Sequence, residues 1–328
     1  MRISVGLPTY AGDRHRLPVE RLFNYAQRAE ALEFSGLWTI EHLVEPPTYS
    51  TSWYDPLTAL SAVSGETETI PVGTSILNLA IRNPVLVAQR AATVHHLSGQ
   101  RLSLGLGTGY LKSEFEAASV PFEERSERFL EALELLRRLL TEETVTFDGE
   151  YYSVEGFSLE PSLDRPPALL SAGEGVGDGD SRRVRKSVTE RLDAADGWFA
   201  PPRPIEHLRS DWEDFAAHIE STGRNPDDVR RLGFQYLHLV PNVDRSVATK
   251  KQSRTYRAYL GGTSEDVAEK QNYRNAWLFG NVDDVTSHLD AYADAGFDEV
   301  MLHPACFEPS ELDRQLRLWH NHILPLYG

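Results

Sequence analysis

Short apolar runs alternate with helical patterns along the whole of this sequence, and within each strand–helix unit no hairpin intervenes. Ile3 to Thr9 reads as a strand. Pro18 then opens a helix in which Leu22, Tyr25, Ala26, Ala29 and Leu32 recur at helical spacing, closed by Gly36. Gly36 to Ile40 is a second strand ending in Glu41-His42, and Asp55-Pro56 caps a helix over Leu57–Ser64. Ile70 to Leu79 is the third strand; Pro84 opens the next helix, with Val87, Ala88, Ala91, Ala92 and His95 along it. Arg101–Gly107 and Phe122–Leu140 form the fourth strand and helix. The second half predicts strands at Ala168–Ala172, Gly197–Phe199, Leu232–Val240 and Glu299–His303, with helices at Arg182–Ala194, Asp211–Thr222, Asp283–Ala295 and Ser310–Ile323. In the seventh strand Phe234, Tyr236 and His238 share one face. Strand–helix units of this kind build a parallel sheet, and eight of them are the count of an α/β (βα)8 TIM barrel. A doubly wound sheet is the competing architecture. It would carry phosphate-binding glycines after its first strand, where Leu7-Pro8-Thr9-Tyr10 has none.

The barrel accounts for residues 1–328 as a single domain with three excursions, at 44–54, 146–166 and 242–281. In the second, Val145-Thr146-Phe147, Asp148-Gly149 and Tyr151-Tyr152-Ser153 read as a hairpin with a tight turn. Excursions of this length in a barrel commonly form lids or subunit contacts. No apolar run approaches the ~20 residues of a membrane span, and MRISVGLPTY enters a strand directly with no secretory pattern. Cys306 is the only cysteine, which excludes a disulfide within the chain and fits a cytoplasmic protein. A net charge of −16 argues against a nucleic-acid partner. The lysines are only Lys112, Lys186, Lys250, Lys251 and Lys270. Such an acidic, lysine-poor surface fits a protein kept soluble in high salt, or a GC-rich genome that encodes Arg in place of Lys.

Within this frame the stretch Arg101–Tyr110, RLSLGLGTGY, is the candidate binding loop. Its alternating strand ends at Gly105, Gly107 and Gly109, and glycine lets backbone N–H groups approach a ligand closely. Glu41-His42, at the end of the second strand, pairs an imidazole that exchanges protons near neutral pH with a carboxylate able to orient it; alone, such a pair is more often a solvated loop. Ala172-Gly173-Glu174-Gly175, with Ser181 ahead of a helix, has the backbone of an anion site, although Glu174, Asp178 and Asp180 would oppose a phosphate. Trp53, Tyr54, Trp198, Trp277 and His303 fall near strand ends or in excursions and are candidate walls of a substrate pocket. His95 and His96 point about 100° apart on a helix, so no metal site is read.

ISVGLPTY, GLWTIEHL, VGTSILNLAIRNPVLVAQRAATVHHLSGQRLSLGLGTGY, PFEERSERFLEALELLRRLL, PPALLSAGEG, DAADGWF and LFGNVDDVTSHLDAYADAGFDEVMLHP follow one another in this order from Met1 to about Pro304. Together they resemble the bacterial-luciferase-like superfamily of flavin and deazaflavin oxidoreductases. The resemblance implies a TIM barrel with the cofactor at the C-terminal ends of the strands. It also implies that His42 works against the cofactor ring, and that a non-proline cis peptide at Ser75-Ile76, between Thr74 and Leu77, supports the ring. Gly107, Thr108 and Gly109 would contact the cofactor, and Gly173, Gly175 and Ser181 would seat its phosphate. Where the flavin monooxygenases of the family tend to carry an arginine, this chain has Thr108, with Lys112 the one positive charge nearby, and the resemblance implies the deazaflavin branch, which often has Gly-Thr-Gly or a close variant. Tyr110 stands where that branch often has an acid, and a phenol of pKa ~10 is a weak proton donor or a pocket wall. The implied activity is hydride transfer by coenzyme F-420 to or from a small organic substrate. The alternatives are a two-component monooxygenase using reduced FMN and oxygen, and a barrel without catalysis that serves as a binding or assembly subunit. The implied partners are a flavin or deazaflavin reductase and a second copy of the chain, the latter through apolar positions on the third and fourth helices.

Overall fold

The structure is a computed structural model that describes residues 1–12, 18–44, 51–177, 179–240, 277–304 and 309–327. In chain order the first elements are β1 (Arg2–Gly6), β2 (Tyr10–Gly12), α1 (Val19–Ala31), β3 (Leu37–Thr39), β4 (Thr51–Trp53) and α2 (Pro56–Ser64). They are followed by β5 (Val72–Asn78), α3 (Pro84–Leu97), β6 (Leu102–Gly107), α4 (Lys112–Ala117), α5 (Arg125–Thr141), β7 (Val145–Asp148) and β8 (Ser153–Phe157). Next come β9 (Ala168–Ala172), α6 (Lys186–Thr189), β10 (Gly197–Ala200), α7 (Ile205–Ser221) and β11 (Arg230–Leu239). The chain closes with β12 (Trp277–Gly280), α8 (Val282–Asp294), β13 (Glu299–Pro304), α9 (Pro309–His322) and α10 (Leu324–Tyr327).

Eight of these strands close into a parallel barrel in the order β1, β3, β5, β6, β9, β10, β11, β13 and back to β1. All eight are runs that the sequence predicts as strands. Their helices start where short polar caps stand. Asp55 accepts from the Thr58 N–H at 2.9 Å ahead of Pro56, and Asn83 accepts from Val85 N–H at 2.9 Å ahead of Pro84. The barrel interior is filled by Trp38, Leu170, Phe199, Leu232 and Met301, with Ile76, Ala172 and Phe234 above them. At the N-terminal floor the buried Glu299 carboxylate accepts from Ser4 Oγ at 2.5 Å and Trp38 Nε1 at 2.9 Å and pairs with Arg230 and Arg2. A charge enclosed this way is held by its donors and fixes the register of β1 against β13.

Three expected elements shift, the first two for a local reason. The helix expected over Arg182–Ala194 shortens to α6 and a 3-10 turn at Glu190–Asp193. Arg182 is clamped to Asp211, Val184 N–H donates to Asp214 at 2.7 Å, and Arg183 bridges Val176, so the segment before α6 is held extended. The hairpin keeps its place but its turn is wider, and β8 begins at Ser153. The Glu131 carboxylate accepts from the N–H groups of Glu150, Tyr151 and Tyr152 at 3.0, 2.9 and 2.7 Å, which withdraws them from the ladder. Helix α7 starts at Ile205, six residues ahead of the expected Asp211.

The excursion at 44–54 ends in β4, which pairs antiparallel with β2. Of the excursion at 242–281, residues 241–276 lie outside the described residues, as does Cys306. Its returning end, β12, pairs parallel with the C-terminal part of β11, Tyr236 opposite Trp277 and Leu239 opposite Gly280. No helix among the described residues is long and apolar enough to cross a membrane.

Candidate active site

The C-terminal strand ends bring together the loop after β3, the end of β5, the glycine loop after β6 and helix α4. His42 stands on the first of these. Its Nδ1 lies 3.1 Å from Glu114 Oε1, and the same carboxylate oxygen accepts from Leu43 N–H at 2.9 Å. Both side chains are nearly enclosed, 10% and 6% exposed, so the carboxylate acts on the imidazole with little screening by water. Trp53 and Tyr110 meet the His42 ring edge-on, with centroids 5.5 and 5.9 Å away.

The partner of His42 is therefore Glu114 and not Glu41, a correction to the reading of the Glu-His pair. Glu41 turns away, accepts from Asn78 N–H at 2.8 Å and pairs with Arg82. Burial raises the pKa of Glu41, and Glu114's neighbouring charge adds to the rise; Arg82 and the Asn78 amide work against it. Glu114 escapes a reading by sequence neighbourhood because it sits on α4, where the sequence predicts no helix. Its signal is Phe115, an apolar residue in a polar run; Phe115 is fully buried against Phe122, 5.2 Å between ring centroids, and so turns Glu114 inward.

The Ser75–Ile76 peptide bond is cis, with a register break against β6 between Thr74 and Leu77, where the family resemblance places it. Ile76 faces the barrel axis among Ala172 and Phe234. Gly107 lies against it: a Cβ there would be 1.9 Å from Ile76 Cδ1. Gly109, at φ +71°, lies against Asn78, where a Cβ would be 2.1 Å from Nδ2. Thr108 is half-buried between them and Tyr110 is 60% exposed at the rim. Ser75 Oγ and both polar atoms of the Asn78 amide are buried without partners among the described residues. Cβ-free backbone on one wall, an aliphatic floor and unserved polar atoms at the edge fit a flat heterocycle with a polar rim.

The expected phosphate loop is more occupied than its glycines imply. Gly175 N–H donates to Asp211 Oδ2 at 2.9 Å, and Arg182 grips the same carboxylate through two bonds of 2.7 Å. That amide is committed within the protein, which corrects its reading as an anion ligand. Gly173 is required by packing, since a Cβ would lie 2.5 Å from Val188 Cγ1. Ser181 is exposed at the end of a 3-10 turn. Glu174 is neutralised by Arg203 through bonds of 2.6 and 2.9 Å. Besides the paired Arg182 and Arg203, this region holds Arg191, which donates to the Ala172 carbonyl at 3.0 Å. Burial and the charge of Arg125 lower the Arg191 pKa to about 10. Arg191 Nε also donates to the Ser187 carbonyl at 3.2 Å, and its guanidinium lies over the Phe129 ring, 5.0 Å from the centroid.

Of the pocket-wall candidates, Trp53 is in place. Trp198 is not: it is fully buried outside the barrel against Trp212, Phe215 and Phe297, and Nε1 donates to Gly173 O at 2.8 Å. Strand side chains alternate, so Phe199 takes the inward position and Trp198 the outward one. The Trp277 backbone lies in β12, and its side chain is outside the described residues. His303 lies inside the barrel, fully buried, edge-on to Tyr236 at 5.2 Å and Phe234 at 6.0 Å. Burial lowers its pKa to about 3.

Known proteins resemble this chain in sequence and in fold. The chain is 36% identical over 312 residues to an F-420-dependent glucose-6-phosphate dehydrogenase of Intrasporangium calvum, covering 86% of this chain and 88% of that protein. Its fold superposes on an F-420-dependent secondary alcohol dehydrogenase solved with an F-420–acetone adduct, TM-score 0.81 at 15% identity, over 100% and 99% of the two chains. It also superposes on a monooxygenase from Streptomyces bottropensis, TM-score 0.80 at 21% identity, over the whole of both chains. Residues 1–299 match the model of the luciferase-like monooxygenases, and the chain belongs to that family.

Proposed function

We propose that this protein is an F-420-dependent oxidoreductase that moves a hydride to or from a small organic substrate at the C-terminal end of the barrel. The observation that carries this reading is the buried His42–Glu114 pair set beside the Ile76, Gly107 and Gly109 slot. The F-420-dependent relatives support the choice of cofactor. When bound, the deazaflavin supplies an obligate two-electron acceptor or donor. The protein supplies the rest. Ile76 and the glycine loop would support the ring, and Trp53 and Tyr110 would wall the open side. Arg125 and Arg191 take the phosphate of the tail. For a hydroxyl-bearing substrate, His42 Nε2 would take the O–H proton as the C–H bond breaks and its hydride goes to the bound acceptor. Nδ1 is committed to Glu114, whose carboxylate stabilises the imidazolium that forms.

The same reading includes a homodimer. Leu86 and Leu97 are 52% and 60% exposed on one face of α3, and a groove lined by Leu57, Ser61, Gln89 and Val94 runs between α2 and α3. The exposed apolar positions expected on the fourth helix do not appear on α5. Light scattering gives the mass directly. The cofactor is tested by fluorescence titration in high salt with F-420 and FMN in parallel. Saturable F-420 binding at least tenfold tighter than FMN supports the proposal; preference for reduced FMN replaces it with a monooxygenase, and binding of neither replaces it with a non-catalytic barrel.

A further inference from the structure

Asn78 ends β5 two residues beyond Ile76, and strand alternation puts the two on the same side. Its backbone is fully engaged: the N–H donates to Glu41 at 2.8 Å, and the carbonyl accepts from Arg82 Nη1 at 2.9 Å. Its side chain is the opposite. The residue is 6% exposed, and neither Nδ2 nor Oδ1 has a partner among the described residues. The amide is wrapped by Gly109, whose absent Cβ would fall 2.1 Å from Nδ2 and 3.0 Å from Oδ1. A buried amide left unserved opposes folding, whereas an apolar side chain of the same shape would not. A site that keeps both the amide and a glycine able to touch it is arranged for a ligand that offers one donor and one acceptor side by side.

A lactam edge, N–H beside C=O, is that ligand chemistry, and the pyrimidinedione end of a deazaflavin or flavin ring carries it. A phosphate tail carries acceptors only. Resting on the cofactor reading above, we propose that the Asn78 carboxamide reads the lactam edge of the ring. Nδ2 donates to a ring carbonyl and Oδ1 accepts from the ring N–H. Asn78 is then a positioning residue: with Ile76 as floor and Glu41 and Arg82 fixing its backbone, it sets the rotation of the ring in its plane and hence which ring carbon faces His42.

The test uses Asn78→Leu and Asn78→Ser in the full-length protein. Thermal melting is measured without ligand, and fluorescence titration with F-420 and with the deazaflavin nucleoside that lacks the phosphate tail. The expected result is an unliganded melting temperature equal to the parent's or raised by about 2–4 °C. Both ligands should weaken by the same factor, about 10- to 100-fold. Weakening of F-420 alone would assign Asn78 to the tail, and unchanged affinity for both would assign it to neither; each overturns the proposal. A fall in the unliganded melting temperature of both variants gives the amide a structural role and overturns it too. If the parent protein binds neither ligand, the cofactor reading fails first; if the parent binds and the variants match it, this inference fails alone.

Discussion

Acidification should weaken this protein through the histidines whose pKa burial lowers, His95, His288 and above all His303. The His303 ring is fully buried inside the barrel, packed over Gly6, where a Cβ would come within 2.0 Å of Nδ1. Burial holds its pKa at about 3, against ~6.5 for an unfolded histidine. Because the folded state binds its proton less readily, this contribution is constant above the unfolded value. It falls as pH drops below it, and levels off near pH 3. Between about pH 7 and pH 5 the loss is RT ln of the ratio of unfolded-state partition terms, ~2 kcal/mol, and by pH 3 it approaches ~4–5 kcal/mol. The perturbation that isolates it is His303→Gln, neutral at every pH and similar in length. Urea unfolding of both proteins at the two pH values gives a difference of differences, in which the carboxylates and any packing loss in the variant cancel. The expected result is an acid-induced loss ~2 kcal/mol larger in the parent. Parallel pH dependences in parent and variant would falsify the assignment of a neutral, buried imidazole to His303.

Glu114→Gln keeps the shape of the His42 partner and removes its charge. Turnover with the substrate found by an F-420-coupled screen should fall about 10- to 100-fold, the worth of a charge-assisted hydrogen bond, while F-420 affinity stays within threefold; retained turnover would return the role to another group. Gly105→Ala and Gly107→Ala should separate fold from site. At Gly105 a Cβ meets the rigid Thr74 carbonyl at 2.2 Å, and unfolding should show a loss of ~2–3 kcal/mol. At Gly107 it meets the movable tip of Ile76 at 1.9 Å, so stability holds within ~1 kcal/mol and the loss appears in cofactor titration. Arg191→Gln should weaken F-420 at least tenfold and leave the tail-free deazaflavin unchanged, with a salt dependence that flattens in the variant; equal loss of both ligands would remove the phosphate from its role.

The barrel was legible because its signals are local. Asp55-Pro56 and Asn83-Pro84 mark helix starts within one or two residues, and the apolar runs between them are strands buried on both faces. The site was legible as positions, with His42, Gly107 and Gly109 at strand ends, and their roles rested on the family resemblance. It was not legible where the role is a pairing across the fold. Glu41 is next to His42 in sequence, yet Glu114, 72 residues away, takes its Nδ1. Gly175 looks like an anion loop until Asp211, 36 residues on, takes its amide. Trp198 against Phe199 is a matter of strand parity, which a four-residue strand does not reveal by pattern.

β11 is the longest barrel strand and has different neighbours along its length. Arg230–Gly233 pair with β10, and beyond the end of β10 the same edge takes up β12. The Val240 N–H donates to the Gly280 carbonyl at 2.9 Å, so the chain departs for residues 241–276 and comes back to the place it left. The eight-strand closure has no stake in what lies between those two points. For protein engineering, the Val240–Gly280 bridge is a splice point: the chain can be shortened or extended between the two residues without breaking any ladder of the eight-strand closure.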